Sequence, residues 1–178
     1  MNRPAVLLLI SLAILQTRAT AQAISWDMTG YQVLSQPLSS LPIPNQQGIS
    51  KSLGLKPEEL VALRVQTSTG PVFLVQGIYR IGGICGANNC AFWILGNDYK
   101  VLLTKVTQTF KLQSTYHSGL PDVITSMHGS AFESSLSYWQ FQGQRYVRVS
   151  CADAVYGDTD GNVFKTAHIS PHRCGTGG

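Results

Sequence analysis

Val61-Ala62-Leu63-Arg64-Val65-Gln66-Thr67-Ser68-Thr69-Gly70-Pro71-Val72-Phe73-Leu74-Val75-Gln76 decides how the rest of the chain is read. Val61, Leu63 and Val65 alternate with Ala62, Arg64 and Gln66, the two-residue period of a strand with one face buried. Ser68-Thr69-Gly70-Pro71 breaks that run with turn residues, and Val72-Phe73-Leu74-Val75 resumes it as a continuous apolar strand. The stretch predicts a β-hairpin. Just before it, Leu55-Lys56-Pro57-Glu58-Glu59-Leu60-Val61 places a proline at a first helical position and two glutamates near the positive end of a helix dipole, so one or two helical turns are expected there.

Downstream, the same pattern recurs. Strands are expected at residues 91–95 and 99–112, joined by Gly96-Asn97-Asp98, whose residues tolerate positive φ. A short buried strand is expected at 123–127, and a second hairpin at 136–141 and 146–151, turning on Gln142-Gly143-Gln144-Arg145. A last strand is placed at 163–169. No period of 20 to 50 residues repeats, which removes solenoids and propellers. The expected fold class is mainly β, at the margin of α+β: a single antiparallel β domain with one or two short helices and two disulfides.

Upstream, residues 24–50 carry Pro37, Pro42 and Pro44 among Ser, Gln and Asn, and read as an extended lead-in pinned by Trp26, Tyr31 and Leu34, with little regular structure. Residues 1–23 have the layout of a signal peptide. Arg3 gives a basic start, residues 5–15 are apolar, and Ala19-Thr20-Ala21 or Ala21-Gln22-Ala23 offers small residues for cleavage. The apolar run is about half the ~20 residues that cross a bilayer, and no later segment replaces it. The reading therefore has a signal peptide at 1–23, the lead-in at 24–50 and one β-rich domain at 51–178, secreted or periplasmic and without a membrane span. No cysteine stands at the cleavage site to carry a lipid.

Arg3 and Arg18 would leave with the signal, so eleven of the thirteen basic residues face nine acidic ones, a formal +2. The charges are scattered singly, with no basic stripe to track phosphates, and nucleic acid is not an expected partner. Export puts Cys85, Cys90, Cys151 and Cys174 in an oxidising compartment. Four residues separate Cys85 from Cys90, with Gly and Asn supplying backbone freedom, so a local bridge is preferred among three connectivities, leaving Cys151 to pair with Cys174. A zinc site is the competing reading, either the four thiolates or His168 and His172 joining Cys174. The wide second pair does not form a matching knuckle, and Ser170-Pro171 argues against a helix that would align the two histidines.

Asp158-Thr159-Asp160-Gly161-Asn162 alternates oxygen donors like the start of a calcium loop, with Asp158, Asp160 and Asn162 as its candidate ligands. It lacks Gly at the sixth and Glu at the twelfth position, so a hairpin turn is preferred. His117, Asp122, His128, Ser130 and Glu133 form a polar group between two β regions. A serine, histidine and acid can act together in nucleophilic catalysis, but Ser130 lacks the Gly-x-Ser-x-Gly elbow. Trp93, Trp139, Tyr79, Tyr99, Tyr138 and Tyr146 are numerous for this length; on strands such residues are mostly half-buried core, and the other reading is a binding face built on Trp93, Tyr138, Trp139 and Tyr146.

Cys85-Gly86-Ala87-Asn88-Asn89-Cys90 with Phe92-Trp93-Ile94, then Gly119-Leu120-Pro121-Asp122-Val123, and Trp139-Gln140-Phe141-Gln142-Gly143-Gln144-Arg145-Tyr146 together resemble an uncharacterised family of secreted bacterial β-rich proteins. The resemblance covers about the middle half of the mature chain and implies a periplasmic or extracellular β-rich domain without an established activity. Residues 119–123 also resemble the Gly-x-Pro-Asp stretch of FG-GAP or VCBS repeats. Ser114, Thr115, Tyr116 and His117 stand where those repeats carry calcium-binding acids, so calcium does not follow. The function expected is an exported, soluble, non-enzymatic binding or inhibitor-like domain acting on a protein or cell-envelope component, with no cofactor. The alternatives are a small secreted hydrolase using the region of His117, Asp122, His128 and Ser130, or a structural accessory module.

Overall fold

The structure, a computed structural model, describes residues 24–78, 85, 89–130, 132–156 and 167–175. It is built from two antiparallel meanders. β1 (Leu60–Thr67), β2 (Gly70–Gly77), β3 (Cys90–Leu95) and β4 (Val101–Thr107) form a four-stranded sheet in chain order; β5 (Thr109–His117), β6 (Leu120–Ser130), β7 (Glu133–Phe141), β8 (Tyr146–Tyr156) and β9 (Ala167–His172) form a five-stranded one. The two sheets face each other across Val72, Leu74, Phe92 and Ile94 from the first and Phe110, Val123, Trp139 and Phe141 from the second. Phe92 stacks on Phe110, with ring centroids 4.8 Å apart.

The opening hairpin forms where its alternation places it, pairing Thr67 with Gly70 and Leu60 with Gly77. β2 is buried on both sides because it lies inside its sheet and both sheet faces are covered: Val72 and Leu74 point into the core, while Phe73 and Val75 point outward under a helix. The expected hairpin at 136–151 is β7 and β8, and the buried strand at 123–127 is the middle of β6. Both disulfides are made, Cys85 to Cys90 and Cys151 to Cys174, so all four thiols are consumed in bridges. Among the described residues no helix is long and apolar enough to cross a membrane.

Three expectations change. The segment 99–112 is not one strand: β4 ends at Thr107, β5 starts at Thr109, and the chain passes from one sheet to the other at Gln108. The buried Thr107 hydroxyl fastens this crossing: it lies 2.7 Å from the carbonyl oxygens of both Thr109 and Ser126, which share its single proton. The lead-in contains a regular helix, α1 (Ile43–Leu53), with Pro42 at its N-cap and Pro44 in its first turn, where a missing N–H costs nothing. Conversely, the helix expected around Pro57 is a single 3-10 turn, Pro57–Glu59, whose Glu59 carboxylate accepts the Lys56 N–H. The residues assigned to a signal peptide, Tyr79, residues 163–166 of the last expected strand, and Asp158, Asp160 and Asn162 lie outside the described residues.

The lead-in lies over both outer faces. Ile24, Trp26 and Met28 pack on Ile124, Leu136, Tyr138, Ala152 and Ala154 of the five-stranded sheet; Leu34 reaches the inter-sheet core; Leu38, Ile49 and Leu53 pack on Leu60, Ala62, Phe73 and Leu95 of the four-stranded sheet. Gly48 lets α1 settle closely, because a Cβ there would lie 2.3 Å from the ring of Tyr99. The Tyr99 ring stacks on Phe73, and its hydroxyl bonds Asn45 at 2.9 Å.

Candidate functional site

β5 and β6 are joined by Ser118 and Gly119, both at positive φ, as a two-residue turn matched to strand twist requires. Beyond the turn the register slips. Tyr116 pairs with Pro121 and Leu112 with Val123, so Gln113, Ser114 and Thr115 bulge opposite Asp122 alone. A bulge re-aims side chains, and here it turns Thr115 and His117 onto the same carboxylate.

Asp122 is completely buried. Its Oδ2 accepts hydrogen bonds from the Thr115 hydroxyl at 2.7 Å and the Tyr138 hydroxyl at 2.9 Å, and its Oδ1 lies 2.7 Å from His117 Nδ1. A buried carboxylate without such partners would be strongly unfavourable. The arrangement assigns the Nδ1 proton to the side facing Asp122 and leaves Nε2 as the outward ring nitrogen on a side chain 46% exposed. Burial, which disfavours the phenolate, pushes Tyr138 up to about 12 against the hydrogen bond from Thr115, with Asp122 adding to the rise. Burial and the same carboxylate push Tyr146 up too; its hydroxyl donates to the Pro121 carbonyl at 2.9 Å.

His117 and Asp122 line a cleft of about 740 Å³ on the outer face of the five-stranded sheet. One wall comes from β5 and the other from the start of the lead-in. Lys111 of β5 reaches Asp27 at 2.9 Å across 84 residues of sequence. The Thr29 hydroxyl bond, then Lys111, hold the Asp27 carboxyl down at about 2. Gln113 also lines the cleft, and its side-chain nitrogen is shielded from solvent without a hydrogen-bond partner among the described residues. Leaving such a donor unmade costs on the order of 1–3 kcal/mol.

Of the polar group named from the sequence, His117 and Asp122 meet in this cleft, while His128, Ser130 and Glu133 are not among its lining residues. Six residues of β6 place His128 roughly 20 Å from Asp122 at ~3.3 Å per residue. There its backbone is clamped by Asn89, whose side-chain oxygen accepts the His128 N–H at 2.9 Å and whose nitrogen donates to the His128 carbonyl at 3.2 Å. Ser130 and Glu133 pair with each other across the β6–β7 turn and are exposed. Tyr138, Trp139 and Tyr146 are buried and Trp93 is half-buried in the cluster beneath α1, so these four form no exposed aromatic face. Trp139 donates its indole N–H to Thr125 at 2.9 Å, with Lys105 over its ring. Tyr138 still takes part in the site, through its hydroxyl. His168 and His172 lie exposed on β9; a hydrogen bond to the Arg173 carbonyl and nearby Asp153 push His172 up. Among the described residues no three His, Cys, Asp or Glu side chains gather as a metal set.

Sequence reasoning missed Thr115, Gln113 and the Lys111–Asp27 pair. Only the bulge and the folding back of the lead-in bring them together, and neither leaves a local pattern. No protein-family model, curated protein or solved structure matches the chain.

Proposed function

We propose that the chain is an exported, soluble, non-enzymatic binding domain acting on a protein or cell-envelope component, with the cleft on the five-stranded sheet as its contact site. The observation that carries this is the cleft itself: a cavity of about 740 Å³ with an imidazole held in one pose by a buried carboxylate. Such a volume is in the range of small-ligand sites. Two disulfides and a core closed between two sheets support a rigid surface that loses little entropy on binding.

The test is to recover the protein from the exported fraction, weigh it, and measure its binding to isolated cell envelopes with and without His117→Ala. The expected result is a mass lacking residues 1–23 and weaker binding by the variant. Steady turnover of ester, amide or glycoside substrates, lost in His117→Ala while the circular dichroism spectrum is kept, would overturn the non-enzymatic reading. One observation favours that second reading. The 2.7 Å contact from His117 Nδ1 to Asp122 leaves Nε2 able to take a proton from a bound water, as a general base does in hydrolysis.

A further inference from the structure

The basic residues that the sequence scatters singly do not all stay scattered in the fold. Trp139 of β7 and Arg148 of β8 are direct cross-strand partners, so both stand on the sheet face that looks toward the four-stranded sheet. Lys105 reaches over them from β4, the last strand of that other sheet. Its ammonium lies 4.9 Å from the Trp139 ring centre, and the Arg148 guanidinium carbon lies 6.0 Å from it. Beside them opens a cavity of about 410 Å³ whose lining includes Trp139, Arg145, Tyr146, Arg148, Cys174 and Gly175. The Cys151–Cys174 disulfide holds the tail that forms one wall, and Arg148 donates to the Gly175 carbonyl at 3.0 Å.

No Asp or Glu is among the lining residues, and none of the ion pairs among the described residues includes Lys105 or Arg145. Three cations, from a sheet edge, a turn and a facing strand, thus converge on a hollow with no acid in its walls. Like charges at this range repel, and an indole face attracts a cation without cancelling its charge. An anion in the hollow would cancel it. We propose that this cleft binds a phosphate ester, with Lys105 and Arg145 meeting its oxygens and the Arg148 charge beside them. A carboxylate fits less well, because its two coplanar oxygens suit one guanidinium fork, whereas a tetrahedral phosphate turns oxygens toward donors on several sides. The volume suits a single phosphate on a short stem rather than a run of them. This site shares no lining residue with the cleft around His117 and stands independently of the binding reading above.

The experiment is a ¹H–¹⁵N NMR titration of the exported protein with glycerol phosphate, with succinate as a dianionic carboxylate control, followed by co-sedimentation with phosphatidylglycerol vesicles. The expected result is that glycerol phosphate shifts the Trp139 indole N–H and the backbone amides of Arg148 and Gly175, and binds more tightly than succinate. Arg145→Gln and Lys105→Gln should each weaken it about tenfold; Arg145 is exposed and Lys105 half-buried, so both variants should keep the fold. Sedimentation that is lost in Arg145→Gln would assign the phosphate to a lipid headgroup; shifts without sedimentation would assign it to a soluble ester. Succinate binding as tightly as the ester, or ester binding unchanged in both variants, would overturn the proposal. So would silence of the Trp139 indole with ester and vesicles alike. His117→Ala should leave these shifts in place, so this site and the first cleft stand or fall separately.

Discussion

The two outer faces of this molecule are covered by the same stretch of chain in different ways. Over the four-stranded sheet the lead-in coils into α1 and seals a mainly apolar surface, from Leu38 and Ile49 down to Phe73 and Leu95. Over the five-stranded sheet it stays extended, with Ile24, Trp26 and Met28 touching down beside a surface that carries Asp122, Thr115 and the Tyr138 hydroxyl. A helix presents a broad stripe of side chains and closes what it covers. An extended segment is narrower, and beside it a cleft remains. Burial supplies stability on one face and positions chemistry on the other.

Four changes break or sharpen this contrast. Phe73→Ala, beneath α1, should cost about 3–5 kcal/mol in urea unfolding, because it removes a buried ring and opens a cavity between the helix and the sheet. If the loss is below about 1 kcal/mol, the sealed face is not sealed. On the other face, Asp122→Ala leaves two hydroxyls and an imidazole without their acceptor and should cost about 2–3 kcal/mol. It should also release the His117 ring, seen as convergence of its two ring-nitrogen shifts toward a mixture of tautomers.

Gly48→Ala offers a test of sign. At an open helical position alanine stabilises by roughly 0.5–1 kcal/mol over glycine. Here its methyl would meet the Tyr99 ring at 2.3 Å, so the variant should instead lose about 1–3 kcal/mol, read from the shift in urea midpoint.

The smallest effect belongs to Asp27. Its folded carboxyl is depressed to about 2 from an ordinary value near 3.8, so the stability it confers is complete above pH 4 and fades as pH falls toward 2. Because the group is half exposed and screened, the loss should stay below about 1 kcal/mol and shrink in high salt. Asp27→Asn should flatten that acid limb; an unchanged limb would mean that other carboxylates carry it.

The sheets were legible where alternation met turn chemistry. Val61, Leu63 and Val65 before Thr69-Gly70, and Leu136, Tyr138 and Gln140 before Gly143, mark hairpins by residues in immediate succession. α1 was not legible because Pro42, Pro44, Asn45 and Gly48 are weak helix formers; the helix exists because Ile49 and Leu53 have a sheet to pack on. The break at Gln108 was hidden for a different reason. Val106-Thr107-Gln108-Thr109-Phe110 contains no turn residue, since the chain changes sheets there without reversing direction. His117 and Asp122 were visible as a polar pair five residues apart, but His128 and Ser130 looked equally eligible, because linear spacing does not reveal that a long straight strand carries them away. Asp27 and Lys111 could not be matched at all across 84 residues.

The lead-in's attachments also set an order of assembly. Each sheet is a run of neighbours in sequence, so its hairpins can close over short loops, whereas Ile24, Trp26 and Met28 find their places against residues far along the chain: Ile124, Leu136 and Tyr138, and beyond them Ala152, Ala154 and Ile169. The first residues of the domain to leave the ribosome are therefore among the last to dock. Until β6 and β7 are made, the stretch that walls the cleft has nothing to lie on, and β8 and β9 complete the surface beneath it, so the pocket takes shape late in the assembly of the molecule.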